Sequence, residues 1–376
     1  MKIVLAPDSY KNSLTAKQVA ESMQKGLEKV LPEAEYVQVP MADGGEGTVQ
    51  SLVDAKNGQI LTEIVTDPLG KETQAHYGLI NDGKVAVIEM AEASGIQYIN
   101  KSTANPYITT TYGTGELIKA AIAHGARTII IGLGGSATND GGAGMAQALG
   151  AQLLDKDQQQ LLYGGEDLIN LDHIDTSKML PELAETKIVI ASDVTSPLTG
   201  VFGASYVFGK QKGADEHMIK VLDRALTHYS EVIKRDLGRD VAKMEGAGAA
   251  GGLGAGLLAF TNATIQSGVE IVVKYTELKE KLKGADYVFT GEGQIDFQTK
   301  FGKTPFGVAQ ATKSVDPKIK VIAIAGSVGD KISELYPTGI DAIFSCVPGV
   351  EDLDTAIADT DKNLQQVCEN IGRLIR

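Results

Sequence analysis

The sequence predicts an α/β protein with two domains, one built on a doubly wound parallel sheet and the other on a mixed sheet. Three observations support this prediction. Short apolar, β-branched segments alternate with helical segments at both ends of the chain, as in a doubly wound sheet. Strands separated by turn residues interrupt that rhythm between residues 61 and 90. The length of 376 residues fits two domains better than one.

The chain opens with a strand and a helix, twice in succession. Residues 2–6 (KIVLA) form an apolar run that is typical of a buried parallel strand. A helical segment follows, with apolar residues three or four positions apart at Val19, Met23, Leu27 and Val30. Residues 36–40 (YVQVP) predict a second strand, and a second helix is expected from Gly44 onward.

The middle of the chain first departs from this rhythm and then returns to it. Residues 61–68, 73–80 and 84–90 predict antiparallel strands, with a turn at Asn81-Asp82-Gly83. A helix is expected from Glu116 to about His124. Further strands are predicted at 127–133, 187–194, 285–291, 320–326 and 341–347, and a closing helix at 354–375. We therefore expect a discontinuous domain made of 1–62 and 268–376, with a second domain inserted at 63–267.

Composition narrows the possible partners and the compartment. The net charge of −13 argues against nucleic acid or an anionic membrane as a partner, but a small anion needs only a local positive site. Cys346 and Cys368 lack zinc-site spacing and are expected to be free thiols. No signal-peptide pattern is visible at the start, which favours a cytoplasmic protein. The longest uncharged stretch, 246–269, contains too many polar residues and glycines for a membrane span.

Polar loops follow three predicted strands of the discontinuous domain. In an open α/β sheet, ligands bind beyond the carboxyl ends of the strands, so these loops are well placed. The interpretations that compete with binding are capping, turn formation and ordinary surface exposure. The candidate residues are Asp8, Ser9 and Lys11 after the first strand, Asp43 and Glu46 after the second, and Glu292, Asp296, Lys300 and Lys303 after residues 285–291.

The inserted domain carries three further loops of interest. Residues 132–144 (GLGGSATNDGGAG) offer Gly134, Gly135, Ser136 and Thr138 as donors to an anion, although this run is neither a Walker A motif nor a clear dinucleotide fingerprint. Asp140 lies inside this loop and could orient a metal-bound water. Asp193 leaves an apolar strand and is expected to need a partner, while Lys210 and Lys212 are either binding or surface lysines. Six glycines in residues 246–256 require either positive φ or close approach of the backbone to a ligand or to a neighbouring element.

Taken together, these motifs resemble those of the bacterial type I glycerate kinases. The resemblance extends over essentially the whole chain and rests on six segments in order: PDSYKNSLTA (7–16), VPMADGGEGT (39–48), GLGGSATNDGG (132–142), SDVTSPLTGVFGASYVFGKQKGA (192–214), EGAGAAGGLGAG (245–256) and TGEGQIDFQT (290–299) with FGKTP (301–305). The resemblance implies Mg²⁺-dependent transfer of a phosphoryl group from ATP to D-glycerate, usually giving the 2-phosphate. It also implies two α/β domains with a cleft between them, the discontinuous one flavodoxin-like. This sequence departs from the family at Tyr10, Asn12, Ser192, Ser196 and Gln294, where Phe, Gly, Cys, Asn and Arg are common.

The roles that we expect follow from this chemistry. Phosphoryl transfer requires positioning and charge neutralisation more than covalent catalysis. Asp193 or Asp296 would orient or deprotonate the hydroxyl group, and Lys11 would neutralise developing charge. The residues expected to contact substrate are Asp8, Ser9, Asp43, Glu46, Lys212 and Glu292. Those expected at the nucleotide are Gly134, Gly135, Ser136, Thr138 and Lys303, and those expected at the metal are Asp43 and Asp140.

Two other functions compete with this interpretation. A dinucleotide-dependent oxidoreductase would use the first βαβ unit, but residues 7–12 (PDSYKN) lack the glycine fingerprint. A non-catalytic protein that binds organic acids is the other alternative, and an ATPase assay with and without glycerate separates it from a kinase.

Overall fold

The computed structural model describes all 376 residues. The chain divides into two compact units, Met1–Asn57 with Ser267–Arg376 and Gly58–Gln266. The chain therefore first passes from one unit to the other after residue 57, whereas the sequence analysis placed this boundary after residue 62. The reason is that the strand Gln59–Thr66 pairs along its whole length with the strand that follows it, in the sheet of the second unit.

Thirteen strands and thirteen α-helices make up the regular structure. The strands are β1 (Lys2–Leu5), β2 (Glu35–Gln38), β3 (Gln59–Thr66), β4 (Glu72–Ile80), β5 (Val85–Glu89), β6 (Thr128–Gly132), β7 (Gln152–Leu154), β8 (His173–Asp175), β9 (Lys187–Ala191), β10 (Thr264–Gln266), β11 (Tyr287–Ile295), β12 (Lys320–Val328) and β13 (Ala342–Ser345). The helices are α1 (Ala16–Glu28), α2 (Thr48–Lys56), α3 (Ala91–Ser94), α4 (Tyr112–Ala123), α5 (Ala143–Ala148), α6 (Ala204–Phe208), α7 (Glu216–Leu237), α8 (Ala249–Phe260), α9 (Gly268–Tyr275), α10 (Leu278–Lys281), α11 (Thr304–Val315), α12 (Leu353–Ala358) and α13 (Thr360–Ile375).

The first unit is built on a parallel sheet of five strands in the order β13-β12-β11-β1-β2. Numbered along this unit alone, the order is 2-1-3-4-5, which is the flavodoxin-like arrangement. The predicted doubly wound parallel sheet is therefore confirmed. The direction of winding reverses between β1 and β11, where Ile3 lies opposite Tyr287. Ligands of such sheets bind at the carboxyl edge beside this reversal.

The helix predicted after the first strand is α1, and its apolar stripe is buried as expected. Val19, Met23 and Leu27 are completely shielded from solvent. Thr15 caps the helix and forms a reciprocal pair of hydrogen bonds with Gln18, which satisfies backbone groups that the first turn leaves free. The predicted closing helix is divided into α12 and α13, with Asp352 capping α12.

The second unit is built on a mixed sheet of six strands in the order β10-β9-β6-β5-β4-β3. Strand β4 is antiparallel to both β3 and β5, whereas the pairs from β5 to β10 are parallel. Both the predicted meander and the mixed sheet are confirmed. Strands β7 and β8 form a separate antiparallel pair.

The sequence analysis assigned no helix at α3 or at α5 to α8 of the second unit, and α7 and α8 are the longest of these five. Helix α7 has 22 residues and buries an apolar stripe that includes Ile219, Leu226 and Ile233. Helix α8 lies inside the glycine-rich run and is kinked, with Ala250, Gly251 and Gly252 all at positive φ. No helix combines the length and the apolar character that crossing a bilayer requires.

Candidate active site

Asp8 lies at the carboxyl edge of the first sheet, beside the reversal of winding. Its backbone N–H donates to the Gly291 carbonyl at 2.8 Å, which joins the loop after β1 to strand β11. The carboxylate accepts a hydrogen bond from the Ser9 backbone N–H at 2.6 Å and a short one from the Thr304 hydroxyl. Since Asp8 is only 9% exposed, these contacts hold a largely desolvated carboxyl group in place.

The surroundings of Asp8 favour its protonated form. Burial, followed by the nearby negative charge of Asp43, raises the pKa of Asp8 to about 7. The hydrogen bonds from Thr304 and Ser9 oppose this shift, and Glu292 adds to it. The carboxyl group can therefore accept or release a proton near neutral pH.

Glu292 and Lys303 form an ion pair on the same edge of the sheet. The Lys303 Nζ lies 3.2 Å from Glu292 Oε2, and the hydroxyl of the fully buried Thr299 donates to Glu292 Oε1 at 2.9 Å. Burial raises the pKa of Glu292, against the opposing effect of Lys303. This pair places one lysine ammonium beside the residues that follow β11.

The loops after β1 and β2 enclose a small cavity. The Lys11 Nζ lies 3.5 Å from Glu46 Oε2, and about three quarters of each side chain is exposed, so this ion pair leaves both groups accessible. Asp43 accepts a hydrogen bond from the Gly45 N–H at 3.0 Å. A cavity of about 290 Å³ is lined here by Ser9, Lys11, Ser13, Thr15, Lys17 and Glu46, among others.

Asp296 caps the short 3₁₀ helix Phe297–Lys300. Its Oδ1 accepts from the Gln298 N–H at 2.7 Å, and Gln294 donates to its Oδ2 at 3.3 Å. The Asp296 carboxylate therefore acts as a helix cap in this structure, which is the interpretation that competed with binding. The catalytic role of Asp296 stays a prediction.

In the second unit, Asp140 is an internal anchor of the glycine-rich loop. It is completely buried, and its carboxylate accepts hydrogen bonds from the Thr111 N–H and hydroxyl, both at 2.8 Å, and from the Gly142 and Gly144 N–H groups. These four donors face the oxygens of Asp140, and its predicted role at a metal stays a prediction. The amides at 142 and 144 bind this internal carboxylate, so a phosphate would depend on the exposed part of the loop at Gly134 and Gly135.

The second glycine-rich run packs against the first. A Cβ at Gly251 would overlap the Thr138 carbonyl oxygen, and one at Gly252 would collide with Gly141. The Gly141 N–H also donates to the Gly251 carbonyl at 3.1 Å. The sequence left open whether these glycines face a ligand or a neighbouring element, and the structure places the neighbouring backbone there.

Two further candidate residues, Lys212 and Asp193, differ in their exposure to solvent. Lys212 was expected to contact substrate, but it is fully buried and its Nζ donates to the Thr138 carbonyl at 2.6 Å. Asp193 follows the apolar strand β9 and was expected to need a partner; its side chain is exposed and is not without a partner. The expectation of a partner is therefore confirmed, and the role of Asp193 in catalysis stays a prediction.

Sequence reasoning also missed several residues that shape these sites. Thr304 and Thr299 hold the carboxylates of Asp8 and Glu292, and Thr111 holds that of Asp140. The sequence held a weak signal for Thr304. It follows a glycine by two positions and precedes Pro305, a pattern that is typical of the start of a helix. Asp8 and Thr304 are 296 positions apart, so the pairing itself left no local pattern.

Comparisons with known proteins agree with these features. The model of the glycerate kinase family matches residues 3–376. A glycerate kinase of Halalkalibacterium halodurans is 50% identical over 370 residues, which cover 98% of this chain and 97% of the relative. A glycerate 2-kinase of Escherichia coli K12 is 49% identical over 372 residues, covering 99% and 97%.

A solved structure gives the same result for the fold. A crystal structure from Salmonella typhimurium LT2, described as a glycerate kinase 2, superposes with a TM-score of 0.91 at 47% identity. The match covers all of this chain and 98% of the other. The chain therefore belongs to the glycerate kinase family, and it is an enzyme that acts as a glycerate kinase.

Proposed function

We propose that the enzyme transfers the γ-phosphoryl group of ATP to the 2-hydroxyl group of D-glycerate and releases 2-phosphoglycerate and ADP. The observation that carries this proposal is the buried Asp8 carboxyl group at the sheet reversal, next to Thr304 and the Glu292–Lys303 pair. The choice of the 2-hydroxyl rests on the Escherichia coli relative, which is named glycerate 2-kinase.

In the proposed reaction, Asp8 accepts the proton of the attacking hydroxyl group. The hydroxyl oxygen forms a bond to the γ-phosphorus while the bond from that phosphorus to the bridging oxygen of the β-phosphate breaks. A base works best when its pKa is close to the pH of the reaction. Burial raises the pKa of Asp8 to about 7, and the Thr304 hydroxyl fixes the orientation of the carboxylate.

The substrate carboxylate is proposed to bind beside Lys11. Glycerate is a three-carbon anion, and the cavity of about 290 Å³ next to Ser9 and Lys11 is sufficient for a molecule of that size. The ion pair with Glu46 is exposed and thus weak, so an anionic ligand can compete for the Lys11 ammonium. Lys11, with Lys17 on the wall of the same cavity, would then supply local positive charge in a protein with a net charge of −13.

The ATP phosphates are proposed to bind the exposed backbone of Gly134 and Gly135, and Lys303 would neutralise charge. Ser136 and Thr138 are buried in the same loop, and their contact with the nucleotide stays a prediction. This assignment keeps the roles expected from the sequence. That the reaction takes place in a cleft between the two units stays a prediction.

The residues present fit a magnesium ion that arrives with the nucleotide. Protein-bound Mg²⁺ is commonly held by one or two carboxylates together with phosphate oxygens and water. The structure contains no cluster of three or more His, Cys, Asp or Glu side chains suited to a metal ion, so phosphates would have to complete the coordination. Asp43 would hold the ion, since its negative charge acts on Asp8 at the same edge. When bound, Mg²⁺ would neutralise charge on the phosphates.

The test is an assay of ADP release with D-glycerate, L-glycerate or neither, followed by phosphorus NMR of the product. We expect turnover that requires D-glycerate and Mg²⁺, is lost in EDTA, and gives a phosphate ester on the carbon that carries one proton. An ester on the terminal carbon would overturn the 2-hydroxyl assignment. ATP hydrolysis that is indifferent to glycerate would overturn the proposed reaction.

Lys11→Met tests the substrate site. We expect the KM for D-glycerate to rise by about 10–100-fold, since a charge-assisted contact is worth roughly 1.5–3 kcal/mol, while the KM for ATP changes little. Lys25→Met is the matched control, because Lys25 is an exposed lysine on α1. An unchanged KM for D-glycerate in Lys11→Met would remove Lys11 from the site.

A further inference from the structure

Lys212 is a lysine with no exposed surface. It lies in the short 3₁₀ turn Lys210–Lys212, which ends at Gly213 with φ of 95°. Lysine is almost never fully buried unless its charge is compensated, because removing an ammonium from water is costly. A fully buried lysine therefore needs a partner that compensates its charge.

That partner is the glycine-rich loop of the second unit. The Lys212 Nζ donates to the Thr138 carbonyl at 2.6 Å across 74 positions of sequence. Burial lowers the pKa of Lys212 to about 7, and the negative charge of Asp140 opposes this shift. The Lys212 side chain thus contacts the loop backbone directly and interacts electrostatically with the carboxylate that anchors the same loop.

The conformation of the glycine-rich loop at Thr138 and Asn139 requires stabilising contacts. The Thr138 hydroxyl and the Asn139 side-chain oxygen are buried and have no hydrogen-bond partner in the protein. Buried polar atoms without partners destabilise the conformation that contains them. Other contacts must therefore maintain it, and those present are Lys212 at Thr138, Ser205 at Asn139 and the donors around Asp140.

We propose that Lys212 is a positioning residue that fixes the loop 134–142 in the conformation that binds the ATP phosphates. This inference rests on the proposed ATP-dependent function. Lys212 acts through the Thr138 carbonyl and is not itself a ligand of the nucleotide. The lysine at this place converts a flexible glycine-rich segment into a preformed site, which reduces the ordering needed when ATP binds.

The test compares Lys212→Met with the unmodified enzyme. Methionine keeps a long unbranched side chain but cannot donate to Thr138. We expect the KM for ATP and the Kd of a non-hydrolysable ATP analogue to rise by about 10–100-fold, because the phosphate site is no longer preformed. The KM for D-glycerate and the kcat at saturating ATP should stay within about threefold of the unmodified values. Lys210→Met is the matched control, since Lys210 is an exposed neighbour in the same turn.

The outcomes separate the inference from the function on which it rests. If the unmodified enzyme shows no turnover with ATP and glycerate, the proposed function fails. If it turns over but Lys212→Met binds the analogue normally, or loses kcat with an unchanged KM for ATP, the positioning role is wrong. A merely structural role would lower the thermal midpoint and leave the KM for ATP unchanged, which would also overturn it.

A second measurement does not depend on whether Lys212→Met folds. Amide hydrogen exchange of the unmodified enzyme reports the order of the loop directly. We expect the amides of residues 137–142 to be protected in the absence of nucleotide. Rapid exchange there that slows only when the ATP analogue binds would show that the nucleotide, and not Lys212, orders the loop.

Discussion

Asp8 follows a strand whose residues Ile3 to Leu5 are completely buried, and its carboxylate therefore has little contact with water. Two hydrogen bonds keep this group in one orientation, and the neighbouring negative charges raise the cost of ionising it. At the residue scale, this combination distinguishes Asp8 from Asp296, which caps a turn, and from Asp193, which is exposed. Asp8 is therefore the carboxylate whose surroundings suit proton transfer at neutral pH.

Replacing Asp8 by Asn is expected to lower kcat by about 10²–10⁴-fold, the usual contribution of a general base. The amide keeps the shape of the side chain but cannot accept the proton. Steady-state kinetics with circular dichroism as a check on folding measure the effect. Asp296→Asn is the comparison, and if it loses kcat while Asp8→Asn does not, the base is Asp296.

The same substitution should change the dependence of stability on pH. The pKa of Asp8 is raised from 3.8 to about 7 in the folded protein, so between these values the folded state holds a proton that the unfolded state has released. Stability from this group therefore falls as pH rises from about 4 to 7 and is lowest above 7. Because Asn does not ionise, the thermal midpoint of Asp8→Asn relative to the unmodified enzyme should be higher at pH 8.5 than at pH 5. A difference that is constant with pH would contradict the raised pKa.

At the scale of elements, the two glycine-rich segments pack against each other, which accounts for several of their glycines. Thr138 and Gly141 in one segment contact Gly251 and Gly252 in the other, at distances that leave no space for a side chain. The kink at the start of α8 directs these positive-φ residues towards the loop after β6. Three of the six glycines, Gly251, Gly252 and Gly256, thus pack against the backbone of the loop that is proposed to bind phosphate.

Gly251→Ala tests this packing against a matched control. Alanine at Gly251 meets both an unfavourable φ of 68° and the Thr138 carbonyl, whereas alanine at Gly200 meets only a φ of 88°, since no atom lies within 4 Å of its Cβ. We expect Gly200→Ala to cost about 1–2 kcal/mol of unfolding free energy. Gly251→Ala should cost about 1–3 kcal/mol more than that, from overpacking. Denaturant unfolding measures both, and equal losses would show that the contact with Thr138 can relax.

At the scale of the whole molecule, each unit has its own sheet and its own hydrophobic core. The core of the second unit runs from Val65 to Phe260, and a core of the first unit combines residues from Ile3 to Leu27 with residues from Phe289 to Ile371. The second unit is continuous in sequence, whereas the first is closed by segments from both ends of the chain. These features predict that the second unit can fold alone.

A protein consisting of residues 58–266 tests this independence. We expect native-like circular dichroism and a cooperative thermal transition, because the six-stranded sheet and its core lie wholly within this segment. It should not phosphorylate glycerate, because Asp8, Lys11 and Lys303 are missing. The full-length enzyme is the control. A disordered or aggregated 58–266 would show that the second unit needs the first in order to fold.

The α/β class, the parallel sheet of the first unit, the meander in the second and the family could all be predicted from the sequence. These features arise from hydrophobic periodicity, turn residues and ordered motifs, which are local properties that a sequence displays directly. The loop 7–16 was also placed correctly after its strand, whereas the strand predicted at 285–291 continues to Ile295, so Glu292 lies within β11 and only the residues from Asp296 follow it.

Tertiary structure alone decided what individual polar side chains do. Asp140 and Lys212 were candidate site residues in the sequence, yet both are fully buried. Asp140 accepts a hydrogen bond from the Thr111 N–H, and Lys212 donates one to the Thr138 carbonyl. Asp193 follows an apolar strand, yet its side chain is exposed. Burial and pairing depend on groups far apart in the chain, such as Thr304 beside Asp8 and Thr138 beside Lys212. The pKa of a carboxyl or ammonium group is set by these distant neighbours and by access to water, and neither leaves a periodic trace in the sequence.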